Sequence, residues 1–254
     1  MLTRNHCVLF LLATALCCHG MDTASCKYLI DSGDASYAAF DNMKALDCYK
    51  RAYMKRPDIY ETLMKMTRAI IDVGEDRNDK GSESLYRQAM RLTDTLQLLY
   101  PDSMQSHFLK AVVAANLFDF EGGRQKIELA AVIRKNAVES IELAPSFAPS
   151  YVVLGAYYRG VATAGALQKL LARIIYGKAL SGTLQDSKRT LQKALLVSPE
   201  NIYGCLELAM TLLALDEKKE AVDLLKKIKG MPDAWHLDKK LKLKAAYLLI
   251  KTER

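Results

Sequence analysis

The chain has 254 residues, half of them hydrophobic, with six Pro, thirteen Gly, ten Met and a formal charge of +7. That is enough apolar material for a sizeable core. Scarce breakers beside abundant Leu, Ala and Met exclude a sheet-dominated chain and favour long helices, which these residues enter with little loss of rotamer freedom.

At the amino terminus Arg4 supplies a positive charge, Cys7 to Cys18 is apolar, and Cys18-His19-Gly20 brings small residues to the two positions a signal peptidase reads. The apolar run is too short for a bilayer core of about 30 Å. Residues 1–20 are read as a signal peptide cleaved after Gly20, and 21–254 as a single repeat domain exported to the periplasm or cell envelope. A short anchor is the alternative, and membrane association would require that this segment be retained or lipidated. Its removal leaves Cys26, Cys48 and Cys205. In an oxidising compartment Cys26 and Cys48, facing each other across the first hairpin, could form a disulfide, while Cys205 reads as a small core residue.

Compared with itself, the chain repeats one phrase: a small residue, a bulky one and another small one ahead of Pro. In the first copy these are Ala45, Tyr49, Ala52 and Pro57, with Gly33 where the partner helix must approach closely. Ile59 to Gly74 and a helix through Ala89 to Pro101 make the second, joined by a polar loop, Glu75 to Ser84. Asp76, Asn78 and Gly81 have the offsets of a calcium loop, but Lys80 takes a ligand place and Arg87 stands where the bidentate Glu belongs. The loop therefore reads as an exposed connection.

The third copy is Ser103 to Phe120, a break at Gly122-Gly123, and Gln125 to Leu143 with Ile127, Ala130, Ile133, Ala137 and Ile141 at helical spacing before Pro145. In the fourth, Tyr151, Leu154, Gly155 and Tyr158 lie on one helix and Ala194 and Pro199 end the next. Between them is an insertion, Arg159 to Gly182, with an apolar helix Leu167 to Tyr176 that serves binding or oligomerisation, or packs as one more helix. Ile202 to Ile228 is the fifth copy. Trp235 to Thr252 then sets Leu237, Leu241, Ala245, Leu248 and Leu249 on one face with lysines around it, as a cap whose other face meets water. Eleven Lys or Arg stand against six Asp or Glu from Glu217 to Arg254, but no aromatic-Gly recognition pattern accompanies them, so this reads as a solvated face and not as a nucleic-acid surface.

An aromatic wedge, a Leu-Gly pair and a terminal Pro at these offsets make Cys26 to Met231 resemble tetratricopeptide repeats. One such unit cannot bury its own apolar face. The expected fold is an all-α tetratricopeptide-like solenoid of about five helical hairpins, with a helical insertion in the fourth and a C-terminal capping helix. Lys126-Ile127, Leu154-Gly155, Tyr157, Val161-Ala162, Ala172, Tyr176-Gly177, Ala194 and Pro199 further resemble a segment shared by the regulator of microtubule dynamics family and its bacterial relatives. That name implies microtubules, whereas an exported amino terminus argues against a cytoskeletal partner; the resemblance thus supplies the fold. The periplasmic repeat protein that accompanies some TRAP-type transporters is similar in size and architecture.

Reactive constellations are missing from the sequence. The mature chain has two histidines, His107 and His236, in no metal-binding spacing, and it lacks a nucleophile elbow, a phosphate loop and a dinucleotide fingerprint. No enzyme, cofactor or metal is expected. A solenoid instead offers a concave surface lined by the first helix of each hairpin. Phe108, Asn116, Val152, Arg159, Tyr203, Glu207 and Met210 face it in the register above. Aromatic, Met and a few charges suit an extended peptide or a helix laid in a groove. Core packing is the alternative for Phe108, Val152 and Met210, while Arg159 and Glu207, charges on an inward face, need partners. The function expected is an exported, non-enzymatic scaffold for a protein or peptide; the alternative is a ligand-binding accessory of a TRAP-type transporter.

Overall fold

The structure, a computed structural model, describes residues 24–56, 59–77, 79–165 and 181–253. The expected signal segment 1–20, Pro57 and the insertion helix Leu167 to Tyr176 lie outside the described residues. Among the described residues eleven helices follow one another: α1 (24–38), α2 (Asn42–Lys55), α3 (Tyr60–Arg77), α4 (Ser82–Leu99), α5 (Met104–Leu117), α6 (Gly123–Leu143), α7 (Ala148–Thr163), α8 (Leu184–Val197), α9 (Ile202–Ala214), α10 (Lys218–Lys229) and α11 (Asp238–Glu253). Among the described residues there is no strand. In chain order these are five pairs and a terminal helix, the all-α tetratricopeptide-like solenoid that the repeats imply. The helices gather into two compact units, one ending at Val73 and one running from Gly74.

In the first unit the hairpin α1–α2 closes because Gly33 has no side chain. A Cβ there would lie 2.4 Å from Cε1 of Tyr49, whose ring is buried on the glycine. The Tyr49 hydroxyl donates to Asp34 at 2.7 Å, and Lys65 bridges Asp34 and Glu61 at 2.5 and 2.9 Å. Burial, then the hydrogen bond to Asp34, raises the Tyr49 hydroxyl well above its ordinary pKa. Cys26 and Cys48 are free buried thiols, so the possible disulfide is not formed; Cys26 Sγ lies 3.7 Å from the Ala52 carbonyl instead.

The second unit repeats the small-against-large device. A Cβ on Gly74 would meet Tyr86 Cε1 at 2.5 Å, and one on Gly155 would meet Leu191 Cγ at 2.5 Å. Each glycine also leaves its carbonyl open to a buried serine on the following helix, Ser82 donating to Gly74 and Ser187 to Gly155, both at 2.8 Å. The first of these bonds, together with Asp79 accepting from the Gly81 amide at 2.7 Å, makes a tight turn. Helix α3 accordingly continues to Arg77 and α4 starts at Ser82. The expected loop Glu75 to Ser84 is shorter than its polar composition suggested, and Glu75 and Asp76 are helical.

Four helix starts are set by side-chain oxygens on orphan amides. Asp41, Ser103 and Asn201 each accept from the amide three residues on. Thr183 and Asp186 form a full capping box. The Thr183 hydroxyl, and after it Arg189, holds the Asp186 carboxyl below its ordinary pKa.

Among the described residues, three buried groups fill this unit. Ala111, Ala114, Ala130, Ile133, Ala137, Leu154 and Tyr157 join α5, α6 and α7. Val152, Leu191, Ala194, Leu208, Leu212 and Ala221 join α7 to α10. Cys205, Leu206, Leu225, Ile228 and Ala245 tie α9 and α10 to the cap α11. Each fully covered Leu here contributes about 1.5–3 kcal/mol.

Candidate functional site

The first helices of successive hairpins in the second unit, α5, α7 and α9, carry the residues expected to line the groove. Four of the seven take part in the polar and electrostatic contacts of this unit. Arg159 on α7 donates from Nε and Nη2 to the same oxygen of Glu207 on α9, at 3.1 and 2.6 Å. The Glu207 side chain is 4% exposed and that of Arg159 25%, so the carboxylate is nearly enclosed while the guanidinium reaches solvent. Tyr203 stands one helical turn before Glu207. Burial pushes its hydroxyl well above the ordinary range, and the neighbouring carboxylates of Glu207 and Glu75 push it the same way. Asn116 on α5 donates to Glu75 at 2.8 Å.

Four further residues beside them were not expected: Glu75, Asp76, Trp235 and His236. Asp238 accepts from the amides of Ala234 and Trp235, both at 2.8 Å, and so fixes the approach to α11. This sets the Trp235 ring 6.1 Å from that of Tyr203 and 4.9 Å from the His236 imidazole. His236 Nδ1 is 2.7 Å from Asp76 and its Nε2 3.3 Å from Glu75. The cap of the second unit is thereby joined to that unit's first residues by side chains 160 positions apart.

The other three expected residues lie elsewhere. Val152 is 2% exposed and packs on Leu191 and Leu208, so it is core and lines no groove. Met210 packs, half-buried, against the α9–α10–α11 group. Phe108 meets Phe147 edge-on at 5.0 Å. The second histidine, His107, is a bracket: Nε2 faces the Pro101 carbonyl at 2.8 Å, which can only accept, and Nδ1 lies 2.9 Å from Gln97 Nε2. Gln97 in turn donates to Asn136.

The Glu75 position was hidden by the turn residues that follow it, which imply an earlier helix end. Trp235 and His236 sit just before a lysine-rich helix and form no local motif. A lone Trp beside the final repeat was the one available clue.

These features define a tetratricopeptide-like helical repeat protein with an aromatic and charged lining on the first helices of its second unit. The model of the Regulator of microtubule dynamics protein 1-3 family matches residues 29–253, and the chain belongs to that family. Regulator of microtubule dynamics protein 1 of Mus musculus is 29% identical over 193 residues, 74% of this chain and 63% of the mouse protein. The chain thus spans under two thirds of that relative's length. Among solved structures, a thermophilic TPR protein of Thermus thermophilus, TTC0263, is similar at a TM-score of 0.66 and 17% identity, over 89% of this chain and 99% of that one. Yeast Tom70 is similar at a TM-score of 0.52 and 12% identity, over 92% of this chain and 41% of its own. The family match extends well beyond the central segment, Lys126 to Pro199, that carries the resemblance in the sequence.

Proposed function

We propose that this chain is a non-enzymatic scaffold whose second unit holds a peptide or helix of a protein partner against α5, α7 and α9. The observation that carries the reading is the Arg159–Glu207 pair beside the Tyr203–Trp235 aromatic pair. Trp, Tyr and Arg are the residue types that dominate binding energy at protein interfaces. Arg159 retains N–H donors and solvent access with which to meet a partner's carboxylate, and the half-buried Trp235 offers an apolar face beside it. Membership of the family and the tetratricopeptide-like fold support the coarse reading, since such solenoids present extended binding surfaces. No observation favours the transporter accessory.

The test is selection of short random peptides displayed on phage against the full chain, followed by calorimetry on the peptides recovered. Selected sequences should be enriched in Asp or Glu next to an apolar residue. Trp235→Ala and the charge-conserving Arg159→Lys should each weaken them about tenfold or more, the loss of one well-placed contact. Peptides whose affinity neither substitution changes would place the binding surface elsewhere.

Export remains part of the proposal, with the chain held in the periplasm or cell envelope. Its support is the order of charge, apolar run and small-residue site in residues 1–20. Amino-terminal sequencing of the native protein should begin near Met21; a chain beginning at Met1 or Leu2 removes the export reading.

A further inference from the structure

The cap helix α11 was expected to bury one face and turn a polar one to water. Its covered face is as expected: Ala245 is buried, and Leu241, Leu248 and Leu249 pack half-buried on the α9–α10 core. At about 100° per residue, however, Leu243, Tyr247 and Ile250 fall together on the side diametrically opposite Ala245. They are 73%, 65% and 56% exposed. Helix α11 is therefore apolar on two opposed sides. A solenoid end that meets only water keeps a polar outer face, and this one does not.

The shoulders of the stripe are charged, and all of one sign. Lys239 lies on one side and Lys240, Lys244 and Lys251 on the other, all exposed. The helix has two carboxylates, and both are engaged: Asp238 is buried on the amides of Ala234 and Trp235, and Glu253 pairs with Lys226 at 2.9 Å. Lys242, nearer the covered side, is held by Asp233 at 2.6 Å.

We propose that α11 is a second docking surface, distinct from the groove, and that it takes an acidic amphipathic helix of a partner protein. Spacing of i, i+4 and i+7 is the anchor pattern by which helices pack on one another. Three residues in a narrow stripe match a coiled-coil seam, where a helix lying in a lipid interface presents a broader apolar face. In heptad terms Leu243, Tyr247 and Ile250 take d, a and d, which puts Lys244 and Lys251 at e and Lys239 at g. Those positions choose the partner's charge, and here they choose Glu or Asp. A second copy of this chain is disfavoured, because it would face lysine with lysine.

The experiment uses the full chain and two synthetic helical peptides with Leu and Ile at their a and d positions, one with Glu at e and g, the other with Lys. Fluorescence anisotropy at low salt should show binding of the Glu peptide alone, weakened as salt is added. Leu243→Ser with Ile250→Ser should reduce its affinity at least tenfold while thermal melting stays at the wild-type value, since both side chains are exposed. Lys239→Glu with Lys244→Glu and Lys251→Glu should turn the preference toward the Lys peptide, and Trp235→Ala should change nothing. Equal binding of both peptides, binding that survives the serine pair, or no binding overturns the proposal. It is likewise overturned if the serine pair dissolves a wild-type dimer, which gives the stripe to a second copy, or abolishes binding to phosphatidylserine vesicles, which gives it to a membrane.

Discussion

Arg159→Met is expected to destabilise the protein by about 3 kcal/mol, the lower end of the range for stranding one member of a buried ion pair. The lower end applies because Arg159 is itself a quarter exposed, so part of its interaction with Glu207 is already screened. The two residues are not equivalent. Without its guanidinium, the Glu207 carboxylate is left 4% exposed with its charge uncompensated. Glu207→Gln should cost less, because a guanidinium in contact with water can be hydrated where it stands. Joining Arg159→Met to Glu207→Leu should recover much of the loss, since apolar groups of similar volume replace a buried pair at little net cost. Urea unfolding of the three variants measures all of this. An Arg159→Met variant within about 0.5 kcal/mol of wild type, the range of an ordinary surface substitution, would mean that the pair is not enclosed in solution.

Gly155→Leu should destabilise by about 1–3 kcal/mol through overpacking. A Cβ at this position would stand 2.5 Å from Cγ and 2.7 Å from Cδ2 of Leu191, which is itself fully buried, so neither helix can yield without moving the core between α7 and α8. The control lies in the same helix. Gly160 is exposed and a Cβ there meets nothing within 4 Å. Gly160→Ala should therefore stabilise by about 0.5–1 kcal/mol, the difference in helix propensity between the two residues. Calorimetric melting of the two variants should shift in opposite directions. Shifts of the same sign would show that backbone freedom, and not the helix contact, is what Gly155 provides.

The two predictions draw on different sources. Gly155 is legible in the sequence because its role is local: a small residue on one helix and a bulky one on the next recur with the repeat. The same reasoning finds Gly33 against Tyr49. It fails for Val152, because the register that puts Val152 on a first helix does not say which of its sides the following hairpin covers. It fails again at Glu75, where the turn residues after it suggest a loop while the Ser82–Gly74 hydrogen bond lets the helix run on.

What the sequence by itself determined is the helical class, the paired helices with their terminal prolines, the small-against-large contacts inside a hairpin, and Arg159 and Glu207 as inward charges in need of partners. All of these are settled by helix propensity and by contacts within one repeat. Only the tertiary structure decided that those two charges meet each other across 48 residues, that Asn116, Glu75 and His236 join one network, and that Tyr203 faces Trp235. Such pairings depend on the rotation from one hairpin to the next, a quantity set by the packing between repeats and absent from the pattern within any one of them. The same holds for α11: both apolar stripes are written in its sequence, and it is the packing of α9 and α10 on the Ala245 side that leaves Leu243, Tyr247 and Ile250 facing outward.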